Sequence, residues 1–275
     1  MTQQLPGKSS RVFSEEARHG SLAGRRALVT GAGSGIGRAT AARLAADGAD
    51  VMVNYSRSAD SARELVEQLE HDGARALAVK ADVSSEEEVT GMLERARIHF
   101  GGPVDLLVNN AGIEMPFQLT EMPLDEWRRV LDVNLTGAFL CAREVARALI
   151  ADERPGVIVN VSSVHEVIPW PRFSHYCASK AGMKLFGQTI ARELAPHRIR
   201  VVMIAPGAIL TPINQDLIES AEKRREVVEG IPWGRMGSAE EIAAAIAWLA
   251  GPDAEYVTGS TLFVDGGMTL YPRFV

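Results

Sequence analysis

Tyr176 and Lys180 stand four residues apart, and Ser163 lies thirteen residues ahead of the tyrosine. Together these types describe a device for moving a proton at an alcohol or carbonyl oxygen. On a helix, positions i and i+4 share a face, so the Lys180 ammonium is expected beside the Tyr176 phenol. A free phenol titrates near pH ~10, too high for a base at neutral pH, and a neighbouring cation favours the phenolate. Bringing it into range takes a fall of roughly 2–3 pH units, about 3–4 kcal/mol of differential interaction. The same spacing also occurs as a solvated pair on helix surfaces, so the surrounding elements decide its meaning.

Those elements alternate. Short apolar runs at Ala27–Val29, Val51–Val53, Ala76–Val79, Val104–Val108, Val157–Val161, Val201–Ile204 and Thr261–Val264 predict seven strands. Between them, amphipathic or Ala-rich stretches predict helices at Gly35–Asp47, Asp60–His71, Ser85–Phe100, Leu124–Ala151, Ser174–Leu194 and Ala239–Leu249. Continuous apolar strands alternating with helices indicate an α/β, doubly wound parallel sheet covered on both faces, in one Rossmann-type domain. Residues 1–24 are polar and unpatterned and read as a mobile extension, leaving 25–275 as the domain. Pro212 to Gly230 is charge-rich and reads either as a closing lid or as a solvated helix.

Composition bounds the function. The 275 residues carry a formal charge of −6, which argues against a nucleic-acid partner. No apolar run is long enough to span a membrane, and the N-terminus lacks the apolar core of a signal peptide. The two cysteines, Cys141 and Cys177, have neither metal-ligand nor redox spacing, so no metal site is expected and a reducing, cytoplasmic location is. Cys177 reads as core rather than as a reactive thiol.

The first strand runs directly into Thr30-Gly31-Ala32-Gly33-Ser34-Gly35-Ile36-Gly37 and a helix. Glycines there allow a tight turn and a close backbone approach to a pyrophosphate seated on the helix N-terminus. Thr30, Gly31, Ser34, Gly35, Ile36 and Gly37 are therefore candidate cofactor-binding residues. The second strand ends in Asn54-Tyr55-Ser56-Arg57-Ser58, without the acid that would hold the ribose hydroxyls of NAD. Ser56, Arg57 and Ser58 suit a 2′-phosphate instead, or read as helix-capping and solvated residues; with Tyr55, Ser56 and Arg57 as candidate cofactor contacts, NADP is favoured over NAD with dual use open. Asp82 and Val83 follow the third strand where adenine would lie. Asn110, Ala111 and Gly112 follow the fourth, at the edge of the sheet where ligands bind.

These motifs, in this order and spacing, resemble the short-chain dehydrogenase/reductase family over residues 25–272. The resemblance implies Tyr176 as general acid/base and Ser163 as the hydroxyl that polarises the substrate oxygen. Lys180 would lower the tyrosine's pKa and hold the nicotinamide ribose, and Asn134 would anchor a proton relay. Asn is an odd choice inside a helix, because it competes with the backbone for hydrogen bonds, and a kink there would explain it. Pro206, Gly207 and Ile209 match the same pattern. Thr211 is read either as holding the nicotinamide amide or as a helix N-cap. The stretch Ser162 to Pro171, followed by His175-Tyr176, is similar to bacterial glucose 1-dehydrogenases, as are Asp265 to Thr269 and Tyr271-Pro272, with Leu270 between them a departure. That narrower likeness implies hydride transfer between a sugar C1 hydroxyl and NAD or NADP, giving a lactone, in a homotetramer. Reduction of a 3-oxoacyl thioester or general ketone is the alternative small-molecule reaction on the same machinery. Glu114 and His165 are the candidate substrate contacts, whereas Glu166 is expected to face solvent. Arg172, Phe173 and Ser174 depart from the glucose pattern at the end of this loop.

Overall fold

A computed structural model describes residues 21–212 and 220–270. Seven strands form one parallel sheet: β1 Arg26–Val29, β2 Asp50–Tyr55, β3 Ala76–Lys80, β4 Leu106–Asn109, β5 Gly156–Val161, β6 Ile199–Pro206 and β9 Thr261–Val264. Their order is β3-β2-β1-β4-β5-β6-β9, every adjacent pair parallel, as in a doubly wound sheet. The two-residue strands β7 (Ile209–Leu210) and β8 (Gly237–Ser238) pair separately, an addition invisible in the apolar pattern. The helices are α1 Gly35–Ala46, α2 Ala59–His71, α3 Glu86–Phe100, α4 Leu124–Leu131, α5 Gly137–Ala151, α6 Ser174–Leu194, α7 Ala221–Glu229 and α8 Ala239–Ala250.

Each sheet face has its own core. Leu44 of α1, Leu65 of α2 and Ile246 of α8 pack with Val29 and Val53 on one side. Met92 of α3, Val145 of α5 and Ala191 of α6 pack with Leu28 and Ile158 on the other. Burial on both faces is why the strands read as unbroken apolar runs rather than as alternating ones. Helix ends follow local chemistry. Ser85 caps α3 by accepting the Glu88 N–H, and Gly101 closes the helix at a left-handed φ of 72°. Ser238 and Glu241 form a reciprocal capping box on α8.

Two boundaries differ from the sequence expectation. Leu22, assigned to the polar extension, is buried in the core, and its N–H donates to the Asp47 carbonyl. The packed domain therefore begins by residue 22, while residues 1–20 lie outside the described residues. The single helix predicted over Leu124–Ala151 is interrupted at Asp132–Thr136 by a π-helical turn between α4 and α5. In the charge-rich segment, α7 buries none of its residues, and 213–219 lie outside the described residues.

Candidate active site

The strand order reverses between β1 and β4, and a cleft of about 1020 Å³ opens there at the C-terminal edge of the sheet. Every residue assigned to the site from sequence lines this cleft except Thr30 and Asn134. Thr30 is buried beneath it. Its hydroxyl donates to the Val108 carbonyl and accepts the N–H groups of Asn110 and Ala111 at 2.9 and 3.0 Å. It therefore positions the loops and does not face a ligand.

At one end, Gly31 has φ 63°, and a Cβ there would stand 2.9 Å from Ala111 Cα. A Cβ on Gly37 would lie 2.6 Å from the Gly31 carbonyl oxygen and 2.5 Å from Asn110 Nδ2. The Asn110 amide donates to the Thr30 and Gly31 carbonyls, locking the β4 loop onto the glycine turn. Ser34 makes no side-chain cap on α1, leaving its first-turn N–H groups open beside Gly35, Ile36 and Gly37. A bare, glycine-walled helix N-terminus is a fit for a pyrophosphate. Tyr55, Ser56 and Arg57 follow along the rim, with Ser56 and Arg57 exposed, and Asp82 and Val83 stand opposite. Asn54 was missed. It is buried, accepts the Gly31 N–H at 3.2 Å and donates to the Ala81 carbonyl at 3.0 Å. The available signal was an Asn inside an apolar strand, which requires hydrogen-bond partners.

At the other end, β5 delivers Ser163 and α6 delivers Tyr176 and Lys180. The Tyr176 phenol hydrogen-bonds with the Ser163 side chain. Lys180 is buried; its Nζ donates to the Val161 carbonyl at 2.8 Å and lies 5.6 Å from the Tyr176 ring centroid. The i, i+4 pair thus shares a face as expected, but the expected electrostatics do not follow. Burial pushes the phenol above its usual 10, Glu114 adds to the rise, and the Ser163 hydrogen bond only partly opposes them. Desolvation outweighs the lysine, whose own ammonium burial pushes down to about 8 against the fields of Glu114 and Glu166.

Asn134 sits at the centre of the π-helical turn, fully buried. Its Oδ1 accepts the Ile113 N–H at 2.8 Å, and its Nδ2 donates to the Ile113 carbonyl and to Ser179 Oγ. The asparagine thereby ties the bulge to the β4 loop and to α6.

Pro206 at the end of β6, then Gly207, Ile209 and Thr211, border the cleft, with Gly112 and Glu114 facing from the β4 loop. Thr211 is buried, and the residues that would test its N-cap reading lie outside the described ones. His165, Trp170 and Phe173 form a stacked ladder, with centroids 4.4 and 3.7 Å apart. His165 Nδ1 meets the Ile168 carbonyl at 3.1 Å, and burial lowers its pKa. The loop closes through Arg172 at φ 74°, an uncommon conformation for a non-glycine residue, whose carbonyl accepts the Phe117 N–H. Glu166 corrects the sequence reading. Its side chain is enclosed, with one oxygen 3.4 Å from Lys184 Nζ. Cys141 is buried, with its thiol pushed up to about 12, and burial also raises Cys177. Among the described residues no cluster could hold a metal ion, and no helix is long and apolar enough to cross a membrane.

Residues 31–269 match a family model described as enoyl-(acyl carrier protein) reductase. The chain is 49% identical over 253 residues to 3beta-hydroxysteroid dehydrogenase 1 of Eggerthella lenta, covering 92% of this chain and 97% of that protein. It is 44% identical over 255 residues to glucose 1-dehydrogenase 2 of Bacillus subtilis, covering 91% and 97%. A gluconate 5-dehydrogenase from Burkholderia cenocepacia, solved with NADP and tartrate, superposes with a TM-score of 0.86 at 34% identity, covering 91% and 97%.

Proposed function

The chain belongs to the short-chain dehydrogenase/reductase family, and from that premise we propose an NAD(P)-dependent oxidoreductase that interconverts a ring alcohol and its carbonyl. One observation carries this reading: the Ser163–Tyr176 hydrogen bond and the open N-terminus of α1 face one continuous cleft. A nicotinamide dinucleotide held there by the glycine turn supplies the hydride acceptor or donor. Ser163 orients and polarises the substrate oxygen. Tyr176 takes the hydroxyl proton during oxidation and returns it during reduction, and Lys180 stabilises the phenolate that forms. Arg57 and Ser56 favour NADP through contacts with a 2′-phosphate. Asn134 acts by holding the β4 loop and α6 in register.

For the substrate, a sugar hydroxyl at C1 fits best. Glu114 and His165 bring polar groups to the same end of the cleft as Ser163, and such groups discriminate strongly against substrates lacking the matching hydroxyls. A second reading is favoured by the aromatic ladder and by Ile168, Val227 and Met268 on the cleft wall. These surfaces suit a bulkier apolar ring such as a steroid alcohol, or an oxoacyl chain. A panel of aldoses, 3-hydroxysteroids and 3-oxoacyl thioesters with each cofactor decides between them. Glucose turnover with NADP at kcat/KM at least tenfold above the steroid is the expected result, and the reverse order overturns the sugar assignment. The same reading places the enzyme in the cytoplasm as a homotetramer, supported by free thiols and by exposed Phe139 and Leu185 on neighbouring helices. Sedimentation analysis checks the assembly.

A further inference from the structure

Two carboxylates are buried among the described residues, Asp105 and Glu166. Asp105 is met by three arginines. Glu166 has one cation in contact, Lys184, and neither of its oxygens accepts a hydrogen bond from a described residue. A buried carboxylate so thinly compensated is costly, and an apolar side chain of similar volume would avoid that cost. Its location is informative. Glu166 ends the single 3-10 turn that begins after Ser163, and its N–H donates to the Ser163 carbonyl at 3.0 Å. Lys184 lies one helical turn beyond Lys180 and two beyond Tyr176 on α6. The pair therefore bridges the segment carrying the serine and the helix carrying the tyrosine and lysine.

We propose that Glu166 is a positioning residue of the active site: with Lys184 it fastens the Ser163 turn to α6, and it supplies the buried counter-charge to the Lys180 ammonium. The inference rests on the oxidoreductase reading, in which Lys180 works as a cation. The titratable and charged groups that face Lys180 are Tyr176 on its own helix, with Lys184 one turn further along, Glu166 from the turn and Glu114 from the β4 loop. Of these, Glu114 and Glu166 oppose the loss of the Lys180 proton that burial promotes. Glu114 borders the open cleft, whereas the Glu166 side chain is sealed from solvent, so only the latter's field is shielded from salt and bound substrate.

The test is a pair of substitutions with opposite signs. Glu166→Gln keeps the shape and removes the negative charge, so Lys180 should release its proton at lower pH. Lys184→Gln removes a like charge and leaves Glu166 to Lys180 alone, so that midpoint should rise. Lysine side-chain NMR titration of the full chain without cofactor reads both, with Lys180→Arg assigning the resonance. The expected result is a fall of roughly 0.5–1 pH unit in Glu166→Gln and an equal or smaller rise in Lys184→Gln. The alkaline limb of kcat should move in the same directions. A midpoint unmoved in Glu166→Gln, or displaced downward in Lys184→Gln, overturns the proposal. Should Glu166→Gln fail to fold, the Lys184→Gln shift alone decides. Full turnover in Tyr176→Phe would instead refute the underlying oxidoreductase mechanism, so the two failures are distinguishable.

Discussion

The two ends of the parallel sheet treat buried charge in opposite ways. At the N-terminal edge, Asp105 precedes β4 and gathers Arg25, Arg26 and Arg154 at 3.1, 3.5 and 3.6 Å. The Arg26 backbone N–H also donates to it. These contacts pin the starts of three strands. At the C-terminal edge, both Glu166 oxygens, His175 Nε2, Ser162 Oγ and Asn160 Nδ2 lack hydrogen-bond partners among the described residues. One edge pairs its buried carboxylate with several cations, while the other leaves several buried polar groups near the cleft without hydrogen-bond partners among the described residues; of these, Ser162 alone lines it. Structure and function have been separated by sheet polarity, as in other open α/β sheets, where ligands bind outside the carboxyl ends.

The comparison can be broken most sharply at Tyr176. Tyr176→Phe should lower kcat about 10³-fold, ~4 kcal/mol of transition-state stabilisation, without changing the urea midpoint. Asp105→Asn should do the converse, costing about 2–3 kcal/mol in urea unfolding at unchanged kcat. That is less than the ~3–5 kcal/mol of a fully enclosed pair, because the arginines reach water. Lys180→Met should abolish turnover yet stabilise the fold by about 2 kcal/mol at pH 7. The folded-state pKa of Lys180 is depressed to about 8 from 10.5, so its ammonium weakens the native state fully below pH 8. Between those values the unfolded chain binds more protons, native stability rises with pH, and the advantage of Lys180→Met should shrink. The smallest effect is expected at the rim, where Arg57→Ala should raise the KM for NADP about tenfold, ~1.4 kcal/mol, and leave that for NAD unchanged.

The sheet was legible because its strands, buried on both faces, leave no alternation to misread, and all seven run where apolar clusters stand. The cleft was legible because glycines at a strand–helix junction have few other uses, as the Gly31 and Gly37 contacts illustrate. What escaped was set by tertiary contact. A glutamate in a polar loop gives no sign of burial, and Glu166 is enclosed in the tertiary structure, where Lys184 arrives from another element. The Tyr176–Lys180 spacing disclosed proximity but not the dielectric, so it anticipated the partner and missed the burial that outweighs it. Likewise Asn134 signalled an irregularity without revealing whether the helix would bend, break or bulge.

That bulge has a consequence for engineering the chain. A π-turn adds one residue to a helix, rotating everything beyond it by about 100° relative to an uninterrupted rod. The rod from Leu124 to Ala151 thus shows one stripe to the cleft before the bulge and a differently phased stripe to the core after it. It behaves as two gear wheels keyed to a shared axle, with Asn134 as the key. A deletion of one residue within 132–136 would turn one wheel against the other, giving a more regular helix that no longer meshes with both its neighbours.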